Sequence, residues 1–442
     1  MFKKILVANR GEAAVRIIRA CHELNIEAVA IYSEADADSL HVKLADEAVC
    51  VGPPPTKDSY LNMPNVIGAA MITRCDAVHP GWGFFAENAD FAEVCEQVGL
   101  VFIGPPANVI EQLGNKARAR RIMDEAGVPV VPGTRGTIKA GMDVTKVARK
   151  FDYPLMVKAA AGGGGKGIRI CHNDDELIRG VQLAQAEAKA SFGSPEVYIE
   201  KFIPEPRHIE VQILADKYGR VIHLWERDCS VQVGHQKRIE ETPATRLSKS
   251  LRAEITAKAV QAARAVGYVN AGTVEFLLDA DGHFYFIEMN TRLQVEHPVT
   301  EMTTGVDICK EQIRIAAGEE LRWQRHAPPA HGHAIECRLD ARDPDNDWAP
   351  SPGRITHFVP PGGPGIRVDT HIYAGCEVPP YYDPLLAKII AYASNREECV
   401  ARMQRALEEL QIEGVTTSLS FLRRVLGNAF FRQGNYTQAT FD

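Results

Sequence analysis

No stretch of this 442-residue chain approaches the roughly 20 consecutive apolar residues that a membrane-crossing helix needs. The apolar run near the N-terminus, Ile5 to Ala8, is too short for a secretion signal and reads as a buried strand. Basic excess is missing too. A formal net charge of -7 argues against a nucleic-acid or anionic-membrane surface, so neither partner is expected. The ten cysteines form no C-x-x-C pair and no metal-ligand spacing, which suits reduced, mostly buried thiols in a cytoplasmic protein. No G-x-G-x-x-G opens the first helix, so dinucleotide binding has little support there. What is present is an ordinary balance, 45% hydrophobic and 24% charged, over a length that suggests two to four domains.

The first part alternates short apolar runs (Ile5–Asn9, Ala28–Tyr32, Ala48–Gly52, Ala77–His79, Val101–Gly104) with helical patterns such as Glu12–Leu24. That alternation predicts an α/β, doubly wound parallel sheet over residues 1–114. Ligands sit at the carboxyl ends of such strands, where Asn9-Arg10-Gly11-Glu12 and His79-Pro80-Gly81 fall. Residues 115–132 read as a linker region and 133–203 as a small unit around a glycine loop. Residues 204–330 hold the short strands that carry chemistry, and 331–442 form a C-terminal antiparallel-sheet domain.

The strongest local signal is a hairpin. Gly272–Asp279 and His283–Asn290 flank Asp281-Gly282, a two-residue turn signal. With Ala280 opposite His283, counting back pairs Glu275 with Glu288 and Thr273 with Asn290. Two carboxylates facing each other repel, and a cation between them relieves this. All-oxygen ligands suit magnesium or manganese completed by phosphate oxygens, with Glu275, Glu288 and Asn290 as candidates. A solvated edge is the competing reading, disfavoured by the flanking phenylalanines and leucines.

Three further segments fit phosphate chemistry. The loop Gly162–Gly167 fails the Walker A template, but Gly163, Gly164 and Lys166, with Lys158 on the preceding strand, suggest a flap closing over a polyphosphate. After the strand Leu224–Arg227, His235-Gln-Lys237-Arg238 offers Lys237 to a transferring phosphoryl group. In Asn290-Thr-Arg-Leu-Gln-Val-Glu-His-Pro298, Arg292 can clamp a planar anion and Glu296 can act as a base. A simple Arg292–Glu296 pair is the structural alternative.

Together, K-A-A-A-G-G-G-G-K-G, E-R-D-C-S-V-Q, H-Q-K and I-E-M-N-T-R-L-Q-V-E-H-P-V-T-E resemble the ATP-grasp fold, specifically the biotin carboxylases. V-A-N-R-G-E, H-P-G-W-G-F and P-P-Y-Y-D-P-L-L-A-K extend the likeness over essentially the whole chain. The resemblance implies that ATP activates bicarbonate as carboxyphosphate and that carbon dioxide passes to the ureido nitrogen of biotin. It implies ATP contacts from Lys116, Lys158, Glu200, His208, Gln232, His235 and Lys237. Magnesium or manganese would sit at Glu275 and Glu288. Bicarbonate would meet Lys237, Arg292, Gln294 and Val295, with Glu296 as base and Arg338 stabilising the biotin enolate. Cys229 reads as packing.

The chain departs from the family where two arginines usually precede H-Q-K, having Val233-Gly234. It also has Trp82 for a usual tyrosine, Ala86 for a usual serine, and Ala161 at the head of the glycine run. It contains no M-K-M or M-K-L. Biotin is therefore expected on a separate biotin carboxyl carrier protein, with carboxyltransferase subunits completing an acetyl-CoA carboxylase. A part of a pyruvate, propionyl-CoA or urea carboxylase is the alternative within the fold. A silent nucleotide-binding regulatory subunit is the alternative outside it, and would be expected to have lost Glu296, Arg292 or a metal carboxylate. The family also implies a homodimer, with Arg19 and Glu23 matching its interface positions; by spacing alone they are an i, i+4 pair.

Overall fold

A computed structural model describes residues 1–138, 142–160, 168–323 and 328–442. Gly163, Gly164, Lys166 and Ala161 lie outside them. The N-terminal part is a five-stranded parallel sheet, ordered Glu47–Gly52, Glu27–Ser33, Lys4–Val7, Ala77–His79, Val101–Phe102, as the alternation predicts. At its carboxyl ends Asn9 Nδ2 donates to Pro80 O (2.6 Å) and Trp82 O (2.8 Å), tying the two loops together. Gly81 adopts φ +66°, and a Cβ there would sit 2.7 Å from Asn9 Nδ2, so only glycine fits this crossing.

The centre is an eight-stranded sheet, ordered Phe284–Asn290, Asn270–Leu278, Arg207–Ala215, Val221–Val233, Gln236–Thr242, His333–Asp340, Leu385–Ala393, Ile366–Thr370. It runs unbroken from residues before 330 to residues after 331, so both segments share one sheet. Its strands alternate with period two. Ile209, Val211, Ile213, Val274 and Phe276 pack with the helix Lys249–Ala265, each contributing roughly 1.5–3 kcal/mol of apolar burial. The intervening His208, Glu210, Gln212, Thr273 and Glu275 are equally buried but on the opposite side of their strands, a face rich in charge rather than hydrocarbon.

The third unit is a three-stranded sheet, Arg169–Cys171, Leu155–Ala159, Val197–Lys201, covered by the helix Asp174–Phe192. Asn173 caps that helix by accepting from Glu176 N, and Gly193 ends it in the left-handed region at φ 75°.

One sequence expectation is revised here. The hairpin pairs Glu275 with Glu288 and Thr273 with Asn290 as expected, but by a different route. Leu278 pairs with Phe284, so the loop is longer than two residues, and a bulge between Phe286 and Glu288 restores the register. Lys237 sits on Gln236–Thr242, an interior strand of the central sheet. Gly234 and His235, at φ 54° and 61°, form the tight turn before it, which explains a glycine there.

Candidate active site

Lys237 Nζ lies 2.6 Å from Glu210 Oε2, 2.8 Å from Glu275 Oε1 and 2.6 Å from Glu296 Oε1. Three strands and one loop converge on this ammonium. Glu210 is held from its other side by the fully buried Arg227 at 2.5 Å, which also donates to Gln212, Thr300 and Thr273. Glu275 also meets His208 Nε2 at 3.0 Å and Asn290 Nδ2 at 2.8 Å. Burial alone would raise the Glu275 and Glu296 carboxyls; Lys237 heads the opposing charges and holds both well below the usual carboxylate range. Burial likewise opposes charge on Lys237, and its carboxylate partners keep it well above the usual lysine value.

Glu296 is fully buried at the N-cap of the helix His297–Thr304, where the helix dipole favours a carboxylate. Its Oε2 accepts from Arg338 Nη2 at 2.8 Å, so it bridges Lys237 and Arg338. Arg338 in turn reaches Glu240 Oε1 through Nε at 2.6 Å and Nη2 at 2.5 Å. Arg292 does not pair with Glu296. Its Nε donates to Glu87 Oε2 at 2.9 Å and its Nη2 to Asn290 Oδ1 at 3.1 Å, while Nη1 faces Leu293 O and Gln294 Oε1. Gln294 Nε2 is buried without a partner among the described residues, a free donor beside Arg292 suited to an anion.

The same cavity, about 870 Å³, is lined by Lys116, Lys158, Glu200, His208, Gln232 and His235. It is also lined by Lys237, Glu275, Glu288, Asn290, Arg292, Gln294, Val295 and Arg338. Every described residue assigned above to ATP, metal, bicarbonate or biotin thus reaches one space, except Glu296, which sits behind Lys237 and Arg338. Lys116 Nζ meets Glu288 Oε2 at 2.7 Å and Lys158 Nζ meets Glu200 Oε2 at 2.7 Å. Gln232 Nε2 lies 3.0 Å from His208 Nδ1, fixing that ring.

The facing glutamates therefore already have cations, Lys116 for Glu288 and Lys237 for Glu275, with the His208 ring against Glu275 as well. Their carboxylates form an all-oxygen donor set open to the cavity that fits magnesium or manganese. Asn290 is engaged by Glu275 and Arg292 instead. The thiol of Cys229 lies within 4.8 Å of Glu210 and Glu296, and burial pushes it far above its usual value, in keeping with packing.

Several functional positions escaped the sequence. Glu210 and Arg227 read as members of ordinary strands. Glu87 closes the H-P-G-W-G-F-F-A-E stretch, and a role for it could have been sought there. Trp82 lines the main cavity and a smaller one of about 270 Å³ with Arg10, Phe84 and Tyr381; its Nε1 donates to Glu12 Oε1 at 3.2 Å. Ala86 is buried and lines neither. Glu23 pairs with Lys310 at 2.5 Å rather than with Arg19, which is exposed.

Three family profiles tile the chain. They are the biotin carboxylase N-terminal domain over residues 1–110, the carbamoyl-phosphate synthase L chain ATP-binding domain over 115–324, and the biotin carboxylase C-terminal domain over 336–442. The chain is 53% identical to biotin carboxylase 1 of Bacillus subtilis, covering 99% of this chain and 97% of that one. It is 49% identical to a pyruvate carboxylase subunit of Methanothermobacter thermautotrophicus, covering 98% and 88%. Among solved structures it resembles the biotin carboxylase domain dimer of Hydrogenobacter thermophilus 2-oxoglutarate carboxylase, in complex with MgADP, ADP and bicarbonate. That likeness has a TM-score of 0.95 at 49% identity and covers 100% and 99% of the two chains. With these matches and a charged cavity on one face of the central sheet, the chain belongs to the biotin carboxylase family of ATP-dependent ligases.

Proposed function

We propose that the chain carboxylates biotin on a separate carrier protein, using ATP, magnesium and bicarbonate through carboxyphosphate. The observation that carries this reading is Glu296, fully buried and bridging Lys237 and Arg338 within 2.8 Å of each. Glu275 and Glu288 would hold the metal, whose chemistry is to neutralise the phosphates during transfer. Lys116, Lys158, Glu200, His208, Gln232 and His235 are the residues we assign to ATP. Arg292, Gln294 and the Val295 backbone would orient bicarbonate against Glu296.

A carboxylate held so far below its usual range is a weak base. Glu296 can accept the bicarbonate proton only if Lys237 turns from it toward the transferring phosphoryl group, which the reaction itself invites. Arg338, released from Glu296 at the same step, is then free to stabilise an enolate-like biotin oxygen. Val233-Gly234 leaves the turn at the nucleotide edge without its usual charge, which bears on nucleotide affinity more than on Lys237.

The acceptor we favour is acetyl-CoA, with a biotin carboxyl carrier protein and carboxyltransferase subunits as partners. A second reading, a 2-oxo acid as acceptor, is favoured by the 49%-identical pyruvate and 2-oxoglutarate carboxylase relatives. A homodimer in the cytoplasm completes the proposal. Among the described residues no helix is long and apolar enough to cross a membrane. ADP formation that requires both bicarbonate and biotin is the expected result. No ADP above background with both present would refute the enzyme, and a co-purifying biotinylated partner would name the acceptor.

A further inference from the structure

Beneath Arg338 lies a carboxyl group that the reaction above does not use. Glu336, two residues before Arg338 on the strand His333–Asp340, is fully buried. Neither of its carboxylate oxygens has a hydrogen-bond partner among the described residues. Period two puts it on the same sheet face as Arg338, and its register partner on the neighbouring strand is Glu240. Side chains opposite each other across an antiparallel pair stand about 5 Å apart at Cβ, within reach of a carboxyl–carboxyl hydrogen bond. Glu240 uses Oε1 for both of its bonds to Arg338, and its Oε2 is buried and unpartnered too.

Among the described residues no cation is left to serve Glu336. Lys388, opposite Arg338 on the strand Leu385–Ala393, spends its ammonium on Glu12 Oε2 (2.9 Å) and Val295 O (3.1 Å), with Asp369 at 3.9 Å. The charged groups acting on Glu336 are thus Glu240, Glu296, Arg338 and Lys388, with Glu12 and Asp369 behind Lys388. An ionised Glu336 would be a buried anion without a hydrogen bond beside Glu240 and Glu296, whereas a neutral one supplies the donor that Glu240 Oε2 lacks. Burial pushes its carboxyl well above the usual range, with Lys388 opposing and Glu240 adding to the shift.

We infer that Glu336 is a positioning residue, a neutral acid that hydrogen-bonds Glu240 Oε2 and thereby locks the carboxylate that orients Arg338 toward biotin. The inference rests on the biotin role proposed for Arg338, but its protonation part does not. Glutamine keeps shape, neutrality and a donor; leucine keeps only the volume. Glu336→Gln should leave KM for free biotin within twofold of wild type. Glu336→Leu should raise it tenfold or more while moving KM for ATP less than twofold. Infrared difference spectra of wild type against Glu336→Gln at pH 8 should show a protonated-carboxyl band belonging to wild type. Equal damage by glutamine and leucine, or absence of that band, overturns the inference. A wild-type protein that shows the band but never carboxylates biotin refutes the proposed function and leaves Glu336 a neutral structural acid.

Discussion

Two walls of one cavity handle buried charge differently. Around Lys237, three carboxylates share one ammonium at 2.6–2.8 Å, and Arg227 and His208 serve those carboxylates from behind. Around Arg338, Glu240 and Glu296 share one guanidinium, and Glu336 has no partner among the described residues. The first wall sets Lys237 and Arg227, with the His208 ring beside them, against three carboxylates, and must give up ion pairs when substrates arrive. The second sets Arg338 against Glu240 and Glu296 with Glu336 beside them, and the proton we assign to Glu336 lowers its negative charge. In the proposed function, activation of bicarbonate falls to the first wall and activation of biotin to the second.

The largest effect should come from the residue that joins the walls. Glu296→Gln removes the base but keeps its size, so biotin carboxylation should fall by about 10²–10⁴-fold with ATP binding retained. Near-normal turnover would separate the walls functionally. Lys237→Met should be as damaging to activity and should also unfold more readily. It strands buried carboxylates, which costs about 3–5 kcal/mol, readable as a lowered urea midpoint. An unchanged midpoint would show that water or rearranged partners rescue the first wall.

Smaller effects probe the second wall and the sheet behind it. Trp82→Phe removes the indole donor to Glu12 and should cost about 1 kcal/mol, readable as a small fall in the urea midpoint, and an unchanged midpoint would show that this bond contributes nothing. Burial opposes charge on Glu241, yet His333 and Arg396 bring its carboxyl down to about 2. A depressed carboxyl stabilises above the ordinary carboxylate range, and that contribution is lost as pH falls toward 2. Glu241→Gln should therefore be less stable than wild type at pH 7, with the gap closing on acidification through pH 4. A gap that stays constant would remove Glu241 from the acid sensitivity.

What the sequence made legible follows from where period and chemistry coincide. Apolar strands before Val101 and the helix Gly11–Glu23 showed through their hydrophobic spacing. The Glu275–Glu288 pairing came out right because two deviations cancel: the loop is longer than the Asp281-Gly282 signal suggests, and the bulge near Ile287 compensates. The strand Gln236–Thr242 carries no hydrophobic pattern: buried by ion pairs, it spells Gln-Lys-Arg-Ile-Glu-Glu-Thr, which spacing does not distinguish from a solvated segment. For the same reason Glu210 and Glu336 gave no signal, and Arg227 and Lys388 showed only as members of the motifs E-R-D-C-S-V-Q and P-P-Y-Y-D-P-L-L-A-K. Their contacts run from 17 residues of chain, for Arg227 with Glu210, to most of its length, for Lys388 with Glu12, and no local spacing encodes those.

Transfer of label from bicarbonate to free biotin, compared between wild type and Glu296→Gln, tests the central claim most directly. The predicted result is acid-labile labelled carboxybiotin from wild type, dependent on ATP and magnesium, and almost none from the variant. Labelled carboxybiotin from both in equal amount, or from neither, would contradict it.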